Sequence, residues 1–466
     1  MTYRSLERAN AYFYDPERRL AVVKRHGGVS YLSSGVNHLK APEVLLDLAG
    51  REFKERRLIE NYSAPSGALG IGAAISFELH ERLGRSAFGA IGPANICLTV
   101  GATGALAGAF RYLAEVTGAR TALVLGLNYS FFSTICDSLG IRYRILRSEE
   151  RGRLLPSVAE VRHRISTERP AIVVLSQPTN PSGELFTAHE LQQVVEMAEE
   201  FGCWLVFDEV PSLAAPDEGD LPAPFPAGAV TFVSPRLIWI NSYSKSRSLA
   251  GLRAGYMVAA PTVVDFVRKY NERLLWSPVN AGSSALIADM VLRAVLRALG
   301  KCEAGQEART ISRTVKRAGH YLQAFAPYSD DFSRLDGIWR FLDGALDWPD
   351  ACASYGRDLA RVGEICRANW QMFSSDLAPH ITEAIHLKSG FNHCVKLDAA
   401  MSEWEFVVSA YDQAGIDFYT ETVFADHDDA DTHDFWIRIS CAVEPDMFSC
   451  GVRNLAAVLD ARSARH

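Results

Sequence analysis

Five short apolar runs, at residues 96–100, 121–126, 171–175, 204–207 and 237–240, each feed directly into small or polar residues. At least the first is followed by Gly101-Ala102-Thr103-Gly104-Ala105-Leu106 and a helical pattern through Ala114. Runs this short read as buried strands of a mostly parallel sheet, with helices in the crossovers. Open sheets of that kind place their ligands beyond the carboxyl ends of the strands. The residues just past those ends are therefore where chemistry is sought, and the last two runs lead to Asp208 and Lys245.

Lys245 follows its strand almost at once, and Arg253 lies eight residues further on. A lysine acting as a nucleophile must shed its proton near neutral pH, which calls for an interior position and cationic neighbours. Taken alone, a lysine at a strand end is more commonly a solvated surface group. Its company changes the reading. Upstream stand Ser176-Gln177-Pro178-Thr179-Asn180-Pro181-Ser182-Gly183 and Trp204-Leu205-Val206-Phe207-Asp208-Glu209, and downstream stands Trp436-Ile437-Arg438-Ile439-Ser440. In this order and spacing the chain resembles the class I/II aminotransferases, pyridoxal-phosphate enzymes of fold type I, from about Tyr31 to the C-terminus.

The resemblance implies an α/β fold with a large, mostly parallel-sheet domain and a small α+β domain. The expected division is an N-terminal arm and part of the small domain at 1–45, a large cofactor-binding domain at 46–295, an extra insertion at 296–350 and a small C-terminal domain at 351–466. It also implies roles. Lys245 holds pyridoxal 5'-phosphate as a Schiff base, and Asp208 pairs with the pyridine nitrogen. Ala102 and Thr103, at the start of a helix whose first amides are unpaired, contact the phosphate together with Ser242 and Arg253. Tyr129 stacks on the ring, Asn180 donates to the phenolic oxygen and contributes to the substrate site, and Arg438 grips the substrate carboxylate. Gly35 permits close backbone approach to the substrate. Tyr62, in Glu60-Asn61-Tyr62-Ser63-Ala64-Pro65-Ser66-Gly67, reaches the phosphate of a neighbouring subunit, so a homodimer with shared active sites is expected.

Three features depart from the pattern. Where the family usually has a tyrosine three residues after the aspartate, this chain has Pro211, which has neither a side-chain donor nor an N–H. The implied Schiff base is then expected to keep its proton to higher pH. Residues 296–350 exceed the family pattern and contain a basic run from Arg309 to Arg317; surface decoration or oligomer packing is expected there. The third is Asp426-His427-Asp428-Asp429-Ala430-Asp431-Thr432-His433-Asp434. It reads as a solvated acidic loop, with a pocket-side role favouring a cationic substrate as the sharper alternative. His393 is read as a satisfied structural histidine. The helical spacing of Leu359, Val362, Cys366, Asn369, Met372 and Phe373 is read as core. Residues 1 to about 30 are either an arm on a partner subunit or a flexible tail.

The balance of 48 basic against 55 acidic residues gives a net charge of −7, so no broad positive field exists to attract nucleic acid. Nine cysteines without a CxxC pair argue against a disulfide framework and a metal site. No apolar stretch is long enough for a membrane span, and the start resembles no signal peptide, so a cytoplasmic location is expected. The expected function is aminotransferase chemistry at Cα of an amino acid. The alternative is a lyase, cyclase or β/γ-replacement enzyme on a cationic amino acid such as S-adenosylmethionine or an arginine derivative. A non-catalytic sensor of an amino acid or of the cofactor is a third class, disfavoured because Lys245 and Asp208 are both present.

Overall fold

The computed structural model describes residues 4–56, 60, 68–84, 91–213, 235–275, 282–328, 335–398, 401–425 and 433–463. The apolar runs form a seven-stranded sheet: β1 (Ile96–Val100), β2 (Thr121–Leu125), β3 (Arg142–Leu146), β4 (Ile172–Ser176), β5 (Trp204–Asp208), β6 (Leu237–Ser242) and β7 (Ala254–Ala259). Their order is β1-β7-β6-β5-β4-β2-β3, with β7 antiparallel to both neighbours and the other pairings parallel. Side chains alternate across a strand, so each run feeds two cores. Ala122, Val124, Ile172, Val174 and Val206 pack with Phe110 of the helix Gly101–Glu115 and Val263 of the helix Pro261–Tyr270. Leu123, Leu125, Val173, Leu175 and Leu205 join the opposite core, with Ile71 from the helix Leu69–Leu83 and Leu292 from the helix Ser283–Leu299. Burial on both faces is why these runs are continuously apolar.

A second, antiparallel sheet of order β10-β9-β8 consists of β8 (Ile381–Ala384), β9 (Asn392–Leu397) and β10 (Ile437–Ser440). The helix Trp348–Asp376 ties the two parts together. Its first half places Trp348, Cys352, Tyr355 and Leu359 in the large core, and its second half places Val362, Cys366 and Phe373 in the small one. The sequence division at 350/351 thus falls inside the first turn of one continuous helix. In the segment 296–350, the helix Glu307–Gln323 lays Ile311, Val315, Ala318 and Leu322 into the large core, and Tyr321 meets Ser76 at 2.7 Å.

The N-terminal segment is helical. The helices Arg4–Phe13 and Pro16–His26 dock on the chain's own small domain. Tyr12 packs edge-on against Trp404 and Tyr411 and donates to Asp412 at 2.8 Å, and Tyr411 donates to the Phe13 carbonyl at 2.7 Å.

Candidate active site

Beyond the carboxyl ends of the strands lies a cavity of about 420 Å³. It brings together Gly35, Ala102, Thr103, Tyr129, Asn180, Asp208, Ser242, Lys245, Arg253 and Arg438. Tyr62 lies outside the described residues. A larger groove of about 930 Å³ runs along the edge strand β3 and holds none of these side chains.

One end of the cavity is suited to an anion. The helices Val158–Glu168 and Ala188–Glu200 close their first amides with the side chains of Ser157 and Thr187, but the helix Gly101–Glu115 has no side-chain cap. The Gly101 amide donates to the Arg253 carbonyl at 2.6 Å, and the amides of Ala102 and Thr103, which line the cavity, stand at the positive end of the helix dipole. Gly255 of β7 allows this: a Cβ there would lie 2.3 Å from the Gly101 carbonyl carbon. The Ser242 and Ser244 hydroxyls, 2.8 Å apart, and Arg253 complete this end. Arg253 adopts a left-handed backbone (φ 50°), a conformation a non-glycine residue holds only at a cost.

At the end of β5, Asp208 is 4% exposed; it accepts from Ser176 Oγ at 3.1 Å and from the Val210 amide at 2.9 Å. Burial pushes its carboxyl up to about 6, against the opposing pull of those two hydrogen bonds. No cation among the described residues pairs with it. Lys245 is half-buried on the cavity wall, and its backbone carbonyl accepts from Asn37 Nδ2 at 2.8 Å. Burial, with Arg438 and Arg253 adding like charge, lowers its amine to about 8. Arg253 and Arg438 line the same cavity as Lys245 and are the two cations that act on it.

Arg438 reaches the cavity from β10. Its guanidinium donates to the Ser33 carbonyl through Nε (3.1 Å) and Nη2, and to Asn180 Oδ1 at 2.9 Å. Burial lowers it to about 10, so it remains a cation near neutrality. No carboxylate among the described residues forms an ion pair with it. Asp417, the buried acid that acts on it, is itself pushed up to about 8 by burial. Gly35 is required where it stands: its φ is +62°, and a Cβ would lie 2.7 Å from Arg438 Cζ. Its amide donates to Ser440 Oγ at 2.9 Å. Tyr129 stands beside Phe131 and Phe132 and is 40% exposed.

Several lining residues carry no signal in the sequence reading: Leu6, Asn10 and Tyr14 from the N-terminal helices, and Tyr419, Val423 and Phe424 from the small domain. Pro211 also lines the cavity. His393 lies elsewhere, buried and stacked on Trp370 at 3.7 Å. Burial drives it down to about 3, and its Nδ1 has no hydrogen-bond partner, so it is a core histidine but not a fully satisfied one. Residues 426–432 of the acidic loop lie outside the described residues. Asp434, 78% exposed, pairs with Lys396 at 2.7 Å.

A two-domain α/β chain whose sheet ends present a depressed lysine, an unpaired buried aspartate and an open helix N-terminus has the architecture of fold type I pyridoxal-phosphate enzymes. The chain belongs to the family described as aminotransferase class I and II, whose model matches residues 30–316. An aspartate aminotransferase of Thermotoga maritima is 26% identical over 253 residues, covering 53% of this chain and 63% of that protein. A histidinol-phosphate aminotransferase of Pseudomonas fluorescens is 26% identical over 179 residues, covering 36% and 44%. The matched stretch thus spans less than two thirds of either relative. Among solved structures, an aspartate aminotransferase double mutant of Thermus thermophilus superposes with a TM-score of 0.66 at 18% identity, covering 95% of this chain and 97% of that one. An aminotransferase of Mycobacterium tuberculosis gives 0.67 at 18%, covering 96% and 97%.

Pyridoxal phosphate, on which this family depends, fits the residues present. The uncapped helix start with Ser242, Ser244 and Arg253 suits its phosphate. Asp208 lacks only a cation, which a protonated pyridine nitrogen supplies. Among the described residues the Lys245 amine is engaged by no hydrogen bond or ion pair.

Proposed function

We propose that this protein is a pyridoxal-phosphate-dependent aminotransferase that moves the amino group of an amino acid to a 2-keto acid. The observation that carries the reading is the convergence of Lys245, Asp208 and Arg438 on one cavity from β6, β5 and β10. Arg438, with no ion-pair partner of its own, holds the substrate carboxylate as a planar fork. The Asn180 amide, whose oxygen is fixed by Arg438, is left with its N–H groups to donate. Bound here, pyridoxal phosphate supplies an aldehyde for the amino group and a ring that accepts the electron pair left at Cα. Asp208, ionised near neutral pH, holds a positive ring nitrogen in place. Lys245 Nζ takes the Cα proton, and a value near 8 leaves roughly a tenth of the amine neutral at pH 7 to do so.

The cationic-substrate alternative gains no support from the lining, where Asp208 is the one carboxylate among the described residues and is committed to the cofactor. Pro211 is the feature that keeps a different fate after proton removal in view. Two chains sharing each site is the reading for the assembly, supported by the Tyr62 segment's resemblance to its counterpart in the family. A cytoplasmic location accords with nine free cysteines. No described helix is long and apolar enough to cross a membrane.

The test is to supply the purified protein with pyridoxal phosphate, fix it with borohydride and locate the label, then follow absorbance and products with single amino acids. Label at Lys245, and a cycle that requires a keto acid acceptor, are expected. Turnover without the acceptor overturns transamination, and absence of label at Lys245 overturns the reading as a whole.

A further inference from the structure

We infer that the substrate of this site is an amino acid with an uncharged, largely apolar side chain, read by the helix Arg4–Phe13 and the small-domain residues Tyr419, Val423 and Phe424. The inference rests on the aminotransferase reading and adds the class of side chain. Four charged residues line the cavity among those described: Asp208, Lys245, Arg253 and Arg438. All four are committed to the cofactor or to the substrate carboxylate. The small-domain side is closed by Leu6, Asn10, Tyr419, Val423 and Phe424, none of them charged.

These residues lie where a side chain must pass. The Phe424 and Tyr419 rings flank Arg438, with its Cζ 4.8 Å and 5.6 Å from their centroids. A substrate whose carboxylate is on Arg438 therefore lies against both rings. Leu6, Val423 and Phe424 belong to an apolar cluster that continues through Leu127, Ile385 and Trp436. Its polar points are neutral: Tyr419 Oη donates to Asn10 Oδ1 at 3.0 Å and is also hydrogen-bonded to Tyr14, leaving the Asn10 amide N–H groups for a hydroxyl or amide on the substrate. A distal carboxylate or ammonium entering here would lose its water and find no uncommitted opposite charge among the described residues, which is strongly disfavoured, whereas an apolar body gains by leaving water.

The cofactor-loaded protein is mixed with leucine, methionine, phenylalanine or tyrosine, and separately with aspartate, glutamate, ornithine or lysine. The concentration dependence of the spectral change gives kcat/KM for each. The best neutral amino acid is expected to exceed every charged one by about a hundredfold. A charged amino acid that equals or exceeds the neutral ones overturns the inference and leaves the aminotransferase reading standing. No conversion of any amino acid defeats that reading, and this inference with it. Asn10→Asp places an anion on the helix and is expected to raise ornithine relative to leucine about tenfold. A purely structural role for Asn10 would lower both alike, and an unchanged ratio removes the helix from side-chain recognition.

Discussion

The sheet side of the cavity and its small-domain side are built from sequence in opposite ways. On the sheet side, Thr103, Asp208, Ser242 and Lys245 each lie within a few residues of a strand end. Strands buried on both faces fix those positions. On the other side, Gly35 bonds Ser440 across 405 positions and Tyr12 bonds Asp412 across 400. Individual side-chain contacts between distant segments hold that wall. On the roles proposed, the difference separates two tasks: the reactive groups stand at the ends of sheet strands, and the groups facing the substrate side chain stand on segments held by contacts between distant parts of the chain.

The largest expected effects belong to the sheet side. On the proposed mechanism Lys245→Ala removes both the cofactor's attachment and the proton carrier, and kcat is expected to fall at least a thousandfold. In the wild type, cofactor capture at Lys245 should follow the neutral amine, rising about tenfold per pH unit and levelling near 8. An unfolded chain would keep this lysine protonated to about 10.4. Between those values the unfolded state binds more protons, so the group's contribution to stability rises with pH there; below 8 its burial is a constant cost. A capture midpoint near 10 would show the amine to be solvated and would erase the contrast between the two sides. Asp208→Asn keeps shape and loses charge. A drop in kcat of about a hundredfold is expected, and capture of pyridoxal phosphate by the cofactor-free protein should weaken below about pH 6 as this carboxylate takes up its proton, whereas the loaded enzyme, with a cation beside Asp208, should hold its activity to lower pH.

Where the two sides meet, Gly35→Ala must push Arg438 aside and hold a left-handed backbone. The expected result is a rise in KM of roughly tenfold with a smaller change in kcat, since the carboxylate clamp is displaced but Lys245 and Asp208 are not. An unchanged KM would mean that Arg438 does not take the carboxylate.

What the sequence made legible follows the same line. Strand-end residues were readable because a short apolar run predicts its own strand, and Asn180, Asp208 and Lys245 follow their runs at short range. Arg438 was placed instead by the resemblance of Trp436-Ile437-Arg438-Ile439-Ser440 to the family's motif. Asn10 and Tyr419 were not, because a polar residue on an amphipathic helix carries no local sign that the helix will fold over a cavity. Asn37 was missed likewise: its bond to the Lys245 carbonyl joins residues 208 positions apart. The N-terminal segment was left between a partner's surface and solvent because its docking site, around Trp404 and Tyr411, comes from the other end of the chain.

The smallest expected effect tests whether the N-terminal helix is a separable part of that wall. Tyr12 touches neither Lys245 nor Arg438, but its hydroxyl donates to Asp412 and receives Arg18 Nη1. Burial beside Asp412 pushes this phenol up to about 12, so it stays a donor throughout the working range. Tyr12→Phe removes the hydrogen bonds and keeps the packing against Trp404 and Tyr411, a loss of about 1 kcal/mol. If the helix Arg4–Phe13 opens on its own, that loss should appear as roughly fivefold faster hydrogen exchange of its amides, with exchange in β5 and β6 and the affinity for pyridoxal phosphate unaltered. Acceleration throughout the sheet would instead make the two sides one cooperative unit, and the division of labour between them would then rest on chemistry alone, without a mechanical counterpart.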